Sequence, residues 1–507
     1  MSFTITSALA WWVRECPDRV AISVEDQDLS YKELYEWSAR VARYLLDQGV
    51  MAGDRVAVIS MNSMEYAVLE IAIVRIGAIV APLSFRSAVP ELRESFVNLT
   101  PALIFADEDR MPLVCDALRN GERPGIRALS TIRALSASGA TTEPVHDHEP
   151  DPDDPVFIIG TSGSTGRPKG VVESHRSVVT YAAEFVLMEP RCGSGANVLL
   201  VGPFSSSSGT LLLMQFLVAG NSLYIERQFK PARALELLVK HRITMFLAAS
   251  VFHERIAALE EFATADLSGL YFSQTGGARI STDLLSAWRA KGVVLRQAYG
   301  CTEAGGAWAA RDDVAVSAPH KCGRGGMFTN YAIRTSDGKF AAPGESGEIL
   351  IRSPCLSPGY WNDPSATAAA FENGWLHTGD IGVLDETGNL TFIDRSKDII
   401  ISGGLNISSI EIENVISQID GVHEVAVIAA AHPDFGETPL AIVHADTARV
   451  TSDLIIERCL ERLARYKVPR FVVLEPDPLP RLVSGKISKV ALRDRYRDAV
   501  QTLTEAR

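Results

Sequence analysis

Little in this sequence points to crosslinks, membranes or polyanions, and each shortage excludes a class of protein. Seven cysteines (Cys16, Cys115, Cys192, Cys301, Cys322, Cys355, Cys459) are scattered along 507 residues, with no CxxC pair and no histidine at metal-binding spacing. That pattern supports neither a zinc site nor a disulfide framework, and it fits free thiols in a reducing compartment. Basic residues are in deficit: the formal net charge is −13, spread along the chain and not gathered into a tail. Nucleic acid and anionic membranes need basic patches, so neither is expected as a general partner. A small anionic ligand stays compatible with this balance, because local amides and lysines outweigh a global sign. No basic start precedes the short apolar patch in "MSFTITSALAWWVRECPDR", and charge interrupts it too early for a signal peptide. The longest apolar run, residues 66–83, contains Glu70 and Arg75 and breaks at Gly77. It reads as a helix followed by a strand, not as a transmembrane segment. Internal repeats and low-complexity segments are also lacking. A cytoplasmic enzyme is the expected class.

What is there is material for more than one core. The length exceeds what a single hydrophobic core organises, and 47% hydrophobic with 22% charged residues is an ordinary globular balance. "LSYKELYEWSARVARYLLDQG" predicts a helix with a capping box from Ser30 and Glu33, an apolar face of Leu34, Trp37, Val41 and Leu45, and a stop at Gly49. "DRVAVIS", the helix around Tyr66 and "AIVAPL" then alternate at the pace of a parallel α/β layer. The acidic, proline-containing stretch 147–155 reads as a surface linker into the strand "VFIIG". Later short apolar runs, from "NVLLVGPF" to "VVLRQAYG", continue the alternation. After about Ala341 the pattern turns antiparallel, with Gly-rich turns around "GEILIRS" and "GNLTFIDR". Beyond "DRSKDIIISGG" lies a tail of α+β character: helix 409–419, strands 424–429 and 440–444, helix 452–465 and strand 471–474. The expected division is residues 1–396 and 397–507, with the boundary at Lys397.

The chemistry is concentrated first in "TSGSTGRPKG", residues 161–170. The loop leaves the C-terminal end of an apolar strand, where ligands of α/β sheets bind. Its glycines let successive amides turn inward as an anion nest, the hydroxyls of Ser162, Ser164 and Thr165 add donors, and Lys169 adds positive charge. A polyphosphate is the natural guest. The spacing is not that of a Walker A loop, because Arg167 and Pro168 separate Gly166 from Lys169, nor that of a dinucleotide fingerprint.

Four further stretches accompany the loop in fixed order: "YGCTE" (299–303), "TGD" (378–380), "DRSKDIIISGGLNIS" (394–408) and "PRLVSGKISK" (480–489). With the loop they span most of the chain, and together they resemble the signatures of the AMP-forming adenylating enzymes. That superfamily comprises acyl- and aryl-CoA ligases, amino-acid adenylation domains and luciferases. The resemblance implies a large N-terminal domain of α/β layers with a small β-rich subdomain, followed by a small mobile α+β C-terminal domain. It also implies a reaction in two halves. A carboxylate attacks the α-phosphate of ATP to give an acyl-adenylate and pyrophosphate, and a thiol then displaces AMP to give a thioester.

The resemblance carries roles onto individual residues. Thr161, Ser162, Gly163, Ser164, Thr165, Gly166 and Lys169 would cradle the β- and γ-phosphates. Glu303 would ligate Mg²⁺ and Thr302 would bond the α-phosphate. Asp380 would hold the ribose hydroxyls with Arg395 nearby. Tyr299 would stack on the adenine, Gly300 would belong to the ATP site, and Gly276, Gly277 and Ala278 would line the base and the acyl chain. Lys486 would bridge the two anions that meet in the adenylation step, where charge accumulates. Lys397 stands at the hinge position of the family, and Gly403 and Gly404 match the stretch beside the pantetheine tunnel used after the C-terminal domain rotates.

Two departures bear on the substrate. "PFSSSSG" (203–209) places Ser206 where relatives often carry a histidine beside the acyl pocket, and it contains no acid to pair with the ammonium of an α-amino acid. Ser409 stands where many members have proline, with a local effect expected. The sequence therefore points to a ligase joining a fatty, alicyclic or aromatic acid to CoA. Loading of a carrier-protein phosphopantetheine, with the same thiol chemistry, is the alternative; a regulatory nucleotide-binding relative would be expected to have lost one of the motif residues. Monomer and homodimer are both left open.

Overall fold

The computed structural model describes residues 3–118, 124–136, 150–161, 169–276, 280–403, 405–481, 487–497 and 503. The chain divides into two compact units, Met1–Tyr331 with Leu350–His377 and Ala332–Ile349 with Thr378–Arg507.

In the first unit the expected alternation produces two large sheets. One has seven strands in the order Gly359–Tyr360, Lys169–Ser174, Pro155–Thr161, Ile79–Leu83, Arg55–Ile59, Leu103–Ala106 and Gly125–Ala128. Its interior is parallel, while Lys169–Ser174 runs antiparallel to the strands on either side of it. The other has eight strands, ordered Gly306–Ala309, Leu295–Cys301, Phe272–Gly276, Met245–Leu247, Asn197–Leu200, Ser222–Ile225, Val20–Val24 and Gln27–Ser30. Antiparallel hairpins close both of its edges.

Helix Tyr31–Asp47 has the expected capping box, buries Leu34, Trp37, Val41 and Leu45, and is followed by Gly49 at φ 83°. The apolar run 66–83 is a helix, Met64–Arg75, and a strand, Ile79–Leu83. The helix is buried at every position and contacts strands of both sheets, which explains a stripe that is hydrophobic all round. Its charges are accommodated internally. Arg75 donates to Tyr35 O at 2.6 Å and to Ser38 Oγ at 2.9 Å, and Glu70 accepts from Thr210 Oγ1 at 2.8 Å. Among the described residues no helix is long and apolar enough to cross a membrane. None of the seven cysteines, all of them described, forms a disulfide.

Burial pushes the Glu70 carboxyl up to about 8, against the hydrogen bond from Thr210. Its proton is therefore held in the folded state at pH values where the unfolded chain has released it. The stability this contributes is fully present below about pH 4.5 and is lost as pH rises toward 8, at most ~1.4 kcal/mol per pH unit. Glu70→Gln is expected to match the parent at pH 5 and to exceed its melting temperature at pH 8. Equal pH dependence of both proteins in thermal melts would refute this.

The antiparallel region expected after Ala341 is a five-stranded sheet of Asn330–Arg334, Ser346–Arg352, Trp375–Leu384 and Phe371–Glu372, with Leu390–Arg395 pairing to Trp375–Leu384. In the second unit the C-terminal sheet orders Leu405–Ile407, Ile400–Ser402, Gly436–Ala445 and Val422–His432, and Phe471–Glu475 lies parallel to Gly436–Ala445. Helices Ser409–Ile416 and Ser452–Arg462 cover a core that includes Ile400, Ile412, Val427, Val443 and Ile455.

Strand Leu390–Arg395 groups with the C-terminal residues, and Asp394 supplies a reason. Its buried carboxylate accepts from Ser408 Oγ at 3.0 Å, Ser409 Oγ at 2.8 Å and the Ile410 amide at 3.3 Å, fastening the strand to the start of helix Ser409–Ile416. Ser409 is more than a local substitution for proline. It is fully buried and also accepts from Lys489 Nζ at 2.6 Å, and Lys489 pairs with Glu413 at 2.7 Å.

Candidate active site

The phosphate-loop candidate lies in sequence between two antiparallel strands. Strands Pro155–Thr161 and Lys169–Ser174 are antiparallel, with Thr161 opposite Lys169, and Thr161 Oγ1 donates to Lys169 O at 3.3 Å. Ser162, Gly163, Ser164, Thr165 and Gly166 lie outside the described residues, as do Gly277, Ala278, Gly404 and Lys486. The described element that follows the loop is a strand, Lys169–Ser174, whereas a Walker loop leads into a helix. This is the structural counterpart of the failed Walker spacing.

The Lys169 ammonium sits 4.6 Å from the ring centroid of Tyr360, within cation–π range. The Tyr360 hydroxyl in turn donates to Glu303 Oε1 at 2.9 Å. Tyr360 reaches both because the short strand Gly359–Tyr360 pairs with Val172 and Val171 just after the loop. Burial, reinforced by the Glu303 charge, pushes the Tyr360 phenol above its ordinary range, so it remains a donor. Sequence reasoning missed Tyr360. It stands 57 residues from Glu303, and no local spacing relates the two.

Glu303 itself lies on a single 3-10 turn, Thr302–Ala304, between strands Leu295–Cys301 and Gly306–Ala309. Its carbonyl accepts from the Ser357 amide at 2.9 Å. Thr302 Oγ1 donates to Ser207 Oγ at 3.1 Å. Gly300 is required in this hairpin, since a Cβ there would stand 2.1 Å from Gly306 O. Beneath the turn, Glu173 is fully buried and accepts from Ser177 Oγ at 2.6 Å. Burial pushes its carboxyl up to about 8, against that hydrogen bond and with the charge of Glu303.

Among the described residues no group of three or more His, Cys, Asp or Glu side chains could hold a metal unaided. One carboxylate beside one threonine hydroxyl suits Mg²⁺ that takes its remaining oxygens from substrate phosphates and water. The donor set fits a nucleotide-borne ion and does not fit a resident one.

Gly276 ends strand Phe272–Gly276 in register with Ala298, so it lies beside the strand that carries Tyr299 and Gly300. The buried Tyr299 ring meets Tyr331 edge-on at 5.9 Å, and Tyr299 O accepts from the Tyr331 hydroxyl at 3.0 Å. Ser206 occupies the N-cap of helix Ser207–Val218. Its hydroxyl is engaged within the turn, donating to Pro203 O at 2.9 Å and lying 3.0 Å from Ser208 Oγ.

In the second unit, Asp380 and Arg395 are cross-strand neighbours with Nε and Oδ1 3.7 Å apart. Lys397 follows in the 3-10 turn Ser396–Asp398. Gly403 adopts φ 57° and its amide donates to Phe435 O at 2.9 Å.

The fold and the order of its motifs are those of an adenylate-forming enzyme. The AMP-binding enzyme family matches residues 9–361 and the AMP-binding enzyme C-terminal domain matches residues 411–486; the chain belongs to this family. It is 35% identical to the long-chain-fatty-acid–CoA ligase FadD13 of Mycobacterium tuberculosis over 93% of this chain and 94% of that protein. It is 33% identical to a feruloyl-CoA synthase of Amycolatopsis sp. over 96% of this chain and 98% of the relative. Among solved structures, ATP-bound MatB from Rhodopseudomonas palustris superposes with a TM-score of 0.89 at 27% identity, over 98% of this chain and all of MatB.

Proposed function

We propose that this protein is an ATP-dependent carboxylic acid–CoA ligase that works through an acyl-adenylate. The observation that carries the reading is the Lys169–Tyr360–Glu303 connection, which joins the strand after the phosphate-loop candidate to a carboxylate suited to nucleotide-bound magnesium. Lys169 and the loop amides hold the terminal phosphates, Thr302 donates toward the α-phosphate, and Tyr360 fixes the Glu303 carboxylate. Mg²⁺ bound with ATP would neutralise charge on the departing pyrophosphate. Asp380 takes the ribose hydroxyls with Arg395 beside it. Lys486 bridges the carboxylate and the α-phosphate as they approach. One lysine cannot stay wedged at that phosphate while a thiol enters, so the C-terminal domain turns about Lys397 and brings the Gly403–Gly404 stretch to the thiol channel.

The relatives named for long-chain fatty acids and for a feruloyl group make such acids the first to test. A panel of fatty, alicyclic and aromatic acids, assayed for AMP release with CoA and in parallel with a phosphopantetheinylated carrier protein, is expected to show CoA-dependent thioester formation. Acid-dependent AMP release with carrier protein alone would replace the acceptor, and none with any acid would sink the reading.

Tyr360→Phe tests the connection directly. Loss of a hydrogen bond to an ionised carboxylate is expected to slow adenylation by about tenfold or more, with the KM for the acid unchanged. An unaltered pyrophosphate-exchange rate would show that the phenol does not support Glu303.

A further inference from the structure

The turn that carries Glu303 rests on a helix that also begins at the serine run. Helix Ser207–Val218 presents Ser207 to Thr302 at 3.1 Å, and about two turns further on it presents Gln215 to Gly305, whose carbonyl accepts from Gln215 Nε2 at 2.7 Å. Gln215 is 1% exposed. A carbonyl can only accept, so the amide must face it with its nitrogen. The Gln215 Oε1 atom is left buried without a hydrogen-bond partner among the described residues.

Gly305 is the closing residue of the turn. Its amide donates to Thr302 O at 2.9 Å, spanning Glu303. It adopts φ 72°, and a Cβ on it would lie 2.5 Å from Cys355 O, so this position has no freedom to relax. A buried polar side chain that leaves one of its own oxygens unsatisfied is unfavourable unless the bond it does make is needed. Here that bond holds the carbonyl of Gly305, two residues after Glu303, at the close of the turn.

We infer that Gln215 is a positioning residue for the metal-binding turn: through Gly305 it holds Glu303 in the orientation that meets nucleotide-bound Mg²⁺. The inference rests on the reading of Glu303 as the magnesium ligand. It also means that one helix carries both Ser206, at the expected acyl pocket, and the support of the phosphate-side turn.

The test is calorimetric titration with ATP, with and without MgCl₂, on the parent chain, Gln215→Leu and Gln215→Glu. Gln215→Leu is expected to bind ATP alone within about twofold of the parent while losing about tenfold of the magnesium-dependent gain in affinity. In Gln215→Glu a protonated buried acid can still donate to Gly305 O. Its magnesium-dependent gain is therefore expected near the parent value at pH 6.5 and near that of Gln215→Leu at pH 9. A full magnesium gain in Gln215→Leu overturns the inference, as does an equal loss with and without the ion. Should Gln215→Leu fail to fold, a flat gain across pH in Gln215→Glu overturns it equally. A parent chain with no magnesium gain would sink the Glu303 assignment and this inference together, whereas an intact parent gain with an unaffected Gln215→Leu sinks this inference alone.

Discussion

Replacing Lys486 by alanine is expected to abolish acyl-adenylate formation while leaving thioester formation from supplied acyl-adenylate intact. The adenylation step brings a carboxylate onto a phosphate, and the repulsion is greatest where the new bond forms. A single cation placed there contributes to the transition state far more than to substrate binding, and its loss is expected to cost at least ~10²-fold in rate. Once the adenylate exists, the carboxylate charge is gone and a single phosphate anion remains, so the same lysine has no second anion to bridge. The comparison to make is acid-dependent pyrophosphate exchange against CoA consumption with synthetic acyl-adenylate. A variant that exchanges pyrophosphate at the parent rate would remove Lys486 from the catalytic set. Lys489, three residues on in the same motif, provides the contrast. It is committed to Glu413 and Ser409 inside the C-terminal unit and serves packing.

Lys397→Pro should separate the half-reactions in the opposite direction. Proline fixes φ near −65° and removes the amide, so the hinge proposed at Lys397 would be held in one state. The flank of this position is anchored. Arg493, on the C-terminal helix Lys489–Tyr496, contacts the Asp398 carboxylate and donates to Lys397 O at 3.5 Å. Motion about Lys397 would therefore carry that helix with the turn. Thioesterification is expected to fall by more than about tenfold and adenylation by no more than about twofold, since in the proposed alternation only the second half-reaction uses the rotated state. Equal losses in both would argue against domain alternation about this residue.

Tyr360→Phe and Glu70→Gln complement these two from within the first unit. One reads the hydrogen bond that holds the Glu303 carboxylate. The other reads a buried proton inside helix Met64–Arg75.

Local chemistry was legible in the sequence wherever a motif is made by neighbours in the chain. The Ser30–Glu33 capping box, the stop at Gly49, the helix-then-strand reading of residues 66–83 and the antiparallel turn of character after Ala341 each depend on residues within a few positions of one another. All appear as expected. The order of motifs, and with it the adenylating family, could likewise be read from the chain alone. Element ends were less secure: helix 409–419 stops at Ile416, and strand 424–429 extends to Val422–His432, because hairpin pairing with Gly436–Ala445 carries it further than its apolar core.

Tertiary structure decided what joins the motifs. Tyr360 touches Lys169 and Glu303 because a two-residue strand docks at the edge of a sheet, an event with no sequence period. Gln215 reads as one more buried position of an apolar helix until the fold sets Gly305 O against it. Asp394 ties its strand to a helix that begins fifteen residues later. Periodicity records which face of an element is buried; it does not record which other element will cover that face. By itself, then, the sequence determined the family, the reaction class and the order of its motifs. The tertiary structure determined which side chains hold the motif residues in place, because a buried hydrogen bond is specified by two distant segments arriving together and by neither alone.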